Sequence, residues 1–212
     1  MLEIKNFSKI YPNGKVGAEN VNITVEKGDI FAFIGHNGAG KTTTIKSIVG
    51  ISNITSGDII IDGISIKDKP IQCKKILAYI PDNPDVYASL TGIQYINLIA
   101  DFFNVSKQDR EVLTKKYSKL LVMDEPFVGL DPKASYIVKN LMKEFASSGG
   151  AIFFSTHVLE VAEKLCNKVA IISNGKIVKQ GTMEDIKKDE SLEQVFLEID
   201  HEWFKNFIKK QL

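Results

Sequence analysis

The sequence predicts an α/β domain built on a largely parallel sheet, with an antiparallel portion attached. Three observations predict it. Short apolar runs of strand length alternate with longer segments of helical period, the pattern of a sheet covered by helices. The first strands alternate strictly, and Asn174-Gly175 late in the chain is a strong hairpin signal, so some strands pair antiparallel. A glycine-rich segment separates a continuous apolar run, Ile30 to Ile34, from a helical pattern over Thr42 to Val49.

In chain order, Leu2, Ile4 and Phe7 stand apolar among polar neighbours, and Val21, Ile23 and Val25 alternate with polar residues. Period two marks strands with one buried face. Asn13-Gly14 punctuates them as a turn. Ile30 to Ile34 suits a central strand buried on both faces. Gly57 to Gly63 is a short strand between turn signals, and Ile76 to Ile80 is another, ended by Pro81 and Pro84. Thr91 and Gln94 fit a capping box, with Ile93, Ile96, Ile99, Ala100 and Phe103 at helical spacing behind them. Ser106 caps a second, polar helix to about Lys116, and Leu120 to Met123 is a buried strand. Asp131-Pro132 is an N-cap followed by proline at the first helical position. The helix it opens runs to about Phe145 and stops at Gly149-Gly150. Ala151 to Phe154 reads as a strand and Val158 to Cys166 as a helix. Val169 to Ser173 and Lys176 to Lys179 flank the hairpin turn, and short helices follow from Met183 and Leu192. The charged stretch Lys187 to Glu202 reads as solvated surface, and Trp203 with Phe207 as a helix face packed on the domain.

The 212 residues are 44% apolar and 25% charged, enough for one large domain or two small ones with a buried core. Lys+Arg is 27 and Asp+Glu 26, and a net charge of +1 argues against an electrostatically driven nucleic-acid binder. Apolar runs reach only about five residues, far short of the ~18 that span a bilayer. Met1 leads straight into a charged strand pattern with no signal-peptide features. Cys73 and Cys166 provide neither a disulfide framework nor paired metal spacing, and they read as two reduced thiols of a cytosolic protein.

The chemistry concentrates in a few places. Gly35-His36-Asn37-Gly38-Ala39-Gly40-Lys41-Thr42 matches the P-loop pattern, between a buried strand and a helix as its mechanism requires. Glycines let such a loop fold back so that its N–H groups converge on phosphate oxygens, and the helix N-terminus adds favourable partial charge. Lys41 would reach the β- and γ-phosphates, and the Thr42 hydroxyl would serve Mg²⁺. Thr43 completes the nucleotide-binding set. His36 occupies a variable position and contributes only as part of the loop. Leu120 to Met123 ends in two carboxylates. Beside a P-loop, Asp124 can hold Mg²⁺ through water and Glu125 can polarise an attacking water. His157 follows a strand whose end would share the P-loop edge of a parallel sheet. There it either bonds a γ-phosphate or the attacking water, or simply caps a strand-helix junction. Tyr11 either stacks on a purine base or packs as a satellite core aromatic. The residues alone leave both pairs of readings open.

Together these residues resemble the ATP-binding subunit of an ABC transporter, over nearly the whole chain. Gly35 to Thr42 is similar to its Walker A loop and Leu120 to Glu125 to its Walker B strand. Gly129-Leu130-Asp131-Pro132 resembles the D-loop, and Ser155-Thr156-His157 the H-switch. Asp124 to Pro132 and Ser191 to Glu198 are similar to the exporter-type branch, which works with a separate membrane subunit. The resemblance implies a RecA-like P-loop core, an antiparallel β subdomain and a shortened helical subdomain. The expected limits are 1–80 and 120–182 for core and β subdomain, 81–119 for the reduced helical subdomain and 183–212 for C-terminal helices. It also implies ATP and Mg²⁺ as ligands, with Lys41, Glu125 and His157 catalytic, Thr42 and Asp124 serving the metal, and Tyr11 stacking on adenine. The expected partners are a membrane permease and, with ATP, a second copy of the chain. The expected place is cytoplasmic, peripheral at the inner face of the cell membrane.

The sequence departs from the family pattern twice. The Q-loop glutamine falls near Tyr79-Ile80-Pro81-Asp82, where Asp82 stands instead, an acid still able to face Mg²⁺ through water. The signature motif of the form Leu-Ser-Gly-Gly-Gln is absent: Tyr117-Ser118-Lys119 runs straight into Leu120, and the stretch from Lys41 to Asp124 is short for the family. That motif contacts the γ-phosphate held by the partner subunit. The leading expectation is a transport ATPase subunit. The alternative is a truncated, non-hydrolysing nucleotide-binding module acting through protein contacts.

Overall fold

Alternation of apolar and polar residues folds the start of the chain into two long antiparallel strands, β1 (Leu2–Ile10) and β2 (Val16–Val25). The computed structural model describes residues 1–83, 119–188 and 190–199, together with Gln94, Asn97 and Asp101. After β2 come β3 (Ile30–Ile34) and α1 (Lys41–Ile48), and the chain returns as β4 (Ser56–Ile61) and β5 (Ile64–Ser65). These four outer strands form an antiparallel sheet in the order β2-β1-β4-β5. A short helix, α2 (Pro70–Lys74), leads into β6 (Leu77–Ile80). The sequence reading has no helix there, because five residues carry too little periodicity to register.

The second sheet collects β3 and β6 with β7 (Leu120–Met123), β8 (Ala151–Thr156), β9 (Lys168–Ser173) and β10 (Lys176–Thr182). Its order is β10-β9-β3-β8-β7-β6, all parallel except the β9–β10 hairpin. The hairpin turns at Asn174 (φ 49°) and Gly175 (φ 80°), the pair of positive φ values that a tight two-residue turn requires. Helix α3 (Pro132–Ser147) starts as expected, with the Asp131 side chain accepting from Ala134 N at 2.7 Å. Helices α4 (Leu159–Leu165), α5 (Met183–Lys187) and α6 (residues 192–199) complete the described chain.

Strand β3 shows why a continuous apolar run belongs in the centre of this sheet. All five residues are buried, and they alternate between two cores. Phe31 and Phe33 face the core shared with the antiparallel sheet and α1, alongside Val122, Phe153 and Ala170. Ile30, Ala32 and Ile34 face the other core, with Ile152, Phe154 and Ile171, under the helices. Stacking of Phe31 on Phe153, with centroids 5.6 Å apart, adds to the first core.

The stretch from Lys187 onward is corrected. It is not merely solvated surface: Leu192 and Val195 are buried in the helix-covered core, and Lys187 pairs with Glu163. Helix α6 opens with a capping box. Ser191 Oγ accepts from Gln194 N at 3.2 Å, and Gln194 Oε1 accepts from Ser191 N at 2.8 Å. The expected helices from Thr91 and Ser106, the Tyr117-Ser118 pair, and Trp203 with Phe207 lie outside the described residues. Gln94, Asn97 and Asp101 are helical and exposed.

Candidate functional site

Parallel strands place their C-terminal ends on one edge, and four of them deliver the residues singled out in the sequence. Register fixes the alignment: Ile34 pairs with Thr156, Met123 with Phe154, and Ile80 with Met123. The glycine loop leaves β3, Asp82 follows β6, Asp124 and Glu125 follow β7, and His157 follows β8. Open α/β sheets bind ligands at this edge.

A cavity of about 630 Å³ opens there, lined by Tyr11, His36, Asn37, Gly38, Gly40, Lys41, Thr42, Thr43, Asp82 and Glu125 among others. Gly35 and Ala39 are buried behind it. Two glycines make the loop possible. Gly40 sits at φ 112°, and a Cβ there would lie 2.4 Å from the Gly17 carbonyl oxygen. A Cβ on Gly17 would lie 2.7 Å from Thr43 Cγ2 and 2.8 Å from Tyr11 Cε2. Gly17 therefore lets Tyr11 close onto the start of α1, where its hydroxyl and Thr43 Oγ1 share a hydrogen bond of 3.0 Å. The Lys9 ammonium sits 5.3 Å from the Tyr11 ring centroid.

Lys41 is buried at 6% exposure and its ammonium donates to the carbonyls of Gly35 (2.7 Å) and His36 (3.2 Å). It also lies 3.4 Å from Glu125 Oε1. The other carboxylate oxygen of Glu125 accepts from His157, 2.9 Å from Nδ1 and 3.2 Å from the backbone N. A carboxylate only accepts, so the proton of the side-chain bond belongs to Nδ1. Glu125 has φ 50°, a left-handed conformation that costs a non-glycine residue free energy and clusters at functional sites. Lys41, Glu125 and His157 thus form one connected line.

Asp124 stands apart from this line. It is fully buried and does not line the cavity. Ser155 Oγ donates to Asp124 Oδ1 at 2.5 Å and accepts from Glu125 N at 3.0 Å, so it joins the two acids. Asp124 Oδ2 is buried with no hydrogen-bond partner. An orphaned buried carboxylate oxygen is costly and calls for a cation or water. Tyr79 on β6 reports the same local charge: burial first, then the carboxylates of Asp124 and Asp82, pushes its phenol above the usual tyrosine range. Among the described residues no group of three or more His, Cys, Asp or Glu side chains is arranged to hold a metal. The orphaned Asp124 Oδ2 is a single protein oxygen that could serve a dication completed by water and ligand phosphate, the pattern that suits Mg²⁺.

Sequence reasoning missed Ser155 as the link between the acids, and it missed the contact of His36 with Phe196 of α6. The ring centroids of that pair are 4.7 Å apart. Serine before the motif histidine gave a weak signal for the first. Nothing in the sequence pairs positions so distant as those of the second.

A family profile described as ABC transporter matches residues 18–127. The ABC-type transporter ATP-binding protein EcsA of Bacillus subtilis is 30% identical across 95% of this chain and 97% of its own length. The chain belongs to the ABC transporter family. The SkfA peptide export ATP-binding protein SkfE of Bacillus subtilis is another relative of this ABC protein, 31% identical across 99% of the chain and 96% of its own length. Their alignment spans 243 positions against the 212 residues of this chain, so SkfE carries residues that have no counterpart in it. Among solved structures, an ATP-binding subunit of an ABC transporter superposes with TM-score 0.82 at 31% identity, covering 94% of this chain and 99% of that one. A dimeric cassette bound to ADP and phosphate, 18% identical with TM-score 0.72, shares the fold. The fold of this ABC protein is the RecA-like P-loop cassette.

Proposed function

We propose that this chain is the ATP-binding subunit of an exporter-type ABC transporter, coupling MgATP binding and hydrolysis to transport by a separate membrane permease. One observation carries the reading: Lys41, Glu125 and His157 stand in one hydrogen-bonded and ionic line at the edge where the glycine loop opens. Lys41 and the loop amides hold the phosphates. Tyr11, pinned to Thr43, presents an aromatic face to the base. Thr42, Asp124 and Asp82 are the residues that would hold Mg²⁺, which would neutralise phosphate charge when bound. The orphaned Asp124 Oδ2 fits that role. Glu125 orients the attacking water, and His157, protonated at Nδ1, fixes the glutamate and offers Nε2 to the water. Positioning and charge stabilisation are what phosphoryl transfer asks of a protein.

The partners follow from the family. A second copy would close the nucleotide between two chains, and a permease would bring the complex to the inner face of the membrane. Among the described residues no helix is long and apolar enough to cross a membrane. SkfE is named for peptide export, whereas another relative, OpuBA of Bacillus subtilis, is named for choline transport at 29% identity. The similarity of 124–132 and 191–198 to the exporter-type branch favours export.

A second reading is favoured by the missing signature motif: a module that binds nucleotide without hydrolysing it. Loss of one preorganised donor alone costs about 10²–10³ in rate. Nucleotide titration and steady-state ATPase assays separate the readings, with and without the permease. The proposal expects MgATP binding that is lost in Lys41→Ala, and turnover that vanishes in Glu125→Gln while binding persists. Binding without turnover in the permease complex selects the second reading. Unchanged affinity in Lys41→Ala overturns both.

A further inference from the structure

Helix α6 ends the described chain, yet it touches the loop that starts the site. Its apolar residues Leu192, Val195, Phe196 and Ile199 recur at helical spacing and form one face. Leu192 and Val195 are buried in the core beneath the helices, the core that also takes Ile34, the residue from which the phosphate loop departs. The helix start is held once more: Glu163 of α4, which also accepts from the Lys187 ammonium of α5, accepts from Leu192 N at 3.1 Å. Phe196, partly buried, packs against the edge of the same core.

Phe196 also meets His36. The rings are tilted by 58° with centroids 4.7 Å apart, inside the range of favourable aromatic pairs. His36, Asn37 and Gly38 form the exposed apex of the loop, and a Cβ on Gly38 would meet nothing within 4 Å. The carbonyl of His36 accepts from Ala39 N at 3.1 Å and from the Lys41 ammonium at 3.2 Å. One residue thus joins a side chain resting on α6 to a carbonyl that steers the phosphate-binding lysine. Holding the ring limits the excursions of that carbonyl.

We propose that Phe196 is a positioning residue for nucleotide binding: its contact with His36 makes α6 a brace for the phosphate loop. This rests on the reading of Gly35 to Thr43 as a nucleotide-phosphate site. The energy available is that of one aromatic pair, about a two- to tenfold change in affinity.

The test is a double-mutant cycle on the full chain, with MgATP as ligand and amide hydrogen exchange of the loop measured without nucleotide. Phe196→Ala and His36→Ala should each weaken MgATP binding by roughly two- to tenfold. The double variant should be no weaker than the worse single one, since both remove the same contact. Phe196→Tyr should restore affinity. Without nucleotide, Phe196→Ala and His36→Ala should each speed exchange at Ala39 N and its neighbours severalfold, and in His36→Ala the unfolding midpoint should stay near that of the parent. His36→Ala alters an exposed loop residue and keeps the fold, so the exchange measurement stands even where Phe196→Ala folds poorly. Additive effects in the cycle overturn the proposal, as does loop exchange that neither variant alters. Failure of the parent chain to bind MgATP would overturn the nucleotide reading, and the exchange result would still decide whether α6 braces the loop.

Discussion

The two ends of the six-stranded sheet carry buried charge in opposite ways. At the N-terminal end of the parallel strands, Asp29 is 5% exposed and fully engaged. Its Oδ2 accepts from Glu26 N at 2.7 Å and pairs with Lys168 at 3.0 Å, and its Oδ1 accepts from Asn167 Nδ2 at 2.7 Å. Asn167 Oδ1 in turn accepts from Ile30 N at 2.9 Å. At the C-terminal end, Asp124 is equally buried but keeps one oxygen without a partner, and Glu125 holds a strained φ. One end closes its hydrogen bonds within the fold. The other leaves a buried acceptor unpaired, next in sequence to an acid that lines a cavity together with a buried cation. The difference separates a carboxylate that stabilises the sheet from one poised for a ligand.

Substitutions can break this contrast. The largest stability effect belongs to the closed end: Asp29→Ala should cost about 2–4 kcal/mol, because it orphans Asn167 Nδ2 and Glu26 N and removes one of the two acids paired with Lys168. Nucleotide affinity per folded molecule should stay unchanged, as chemical denaturation beside nucleotide titration would show. Asp124→Asn should do the reverse. A neutral amide replaces a buried charge that lacks one partner, so stability should stay within about 1 kcal/mol of the parent or rise. The advantage of MgATP over metal-free ATP should collapse toward one. Parallel losses in both variants would erase the distinction between the ends.

A smaller effect sharpens it. The hydrogen bond from Lys187 first, then that from Leu192 N, holds the Glu163 carboxyl below the usual glutamate range, against the opposing pull of burial. A depressed folded value means that this contribution is complete above the unfolded value of about 4.3 and is lost as pH falls through the folded one. Glu163→Gln should therefore be less stable than the parent at neutral pH by up to about 1 kcal/mol. The two stability curves should converge in acid. A constant gap at all pH values would assign the effect to packing instead.

Much of the fold was legible because period and punctuation are local. Ile30 to Ile34 is apolar throughout because both faces of β3 are covered, and Asp131-Pro132 caps α3 within its own first turn. The phosphate loop was legible because its glycines answer local backbone demands. Contacts between distant positions were not. Ser155 bridges Asp124 and Glu125 only because β7 and β8 are neighbours, and strand neighbours are set by the whole sheet. The stretch that holds α6 reads as surface because Lys187 and the glutamates after it dominate the composition. Its Leu192, Val195, Phe196 and Ile199 recur three and four residues apart on one face, a spacing that charge counting overlooks.

The hairpin turn at Gly175 has a consequence for experiment. Its N–H donates to the Ala39 carbonyl of the phosphate loop at 2.8 Å, while its own carbonyl accepts from Glu19 N of the antiparallel sheet at 2.8 Å. A single residue of the β9–β10 turn therefore stands between the two sheets and the loop, without lining the cavity. Enriched with ¹⁵N, the Gly175 amide becomes a native spectroscopic sensor: its resonance should shift when the loop closes on a ligand, with no label introduced where the ligand sits.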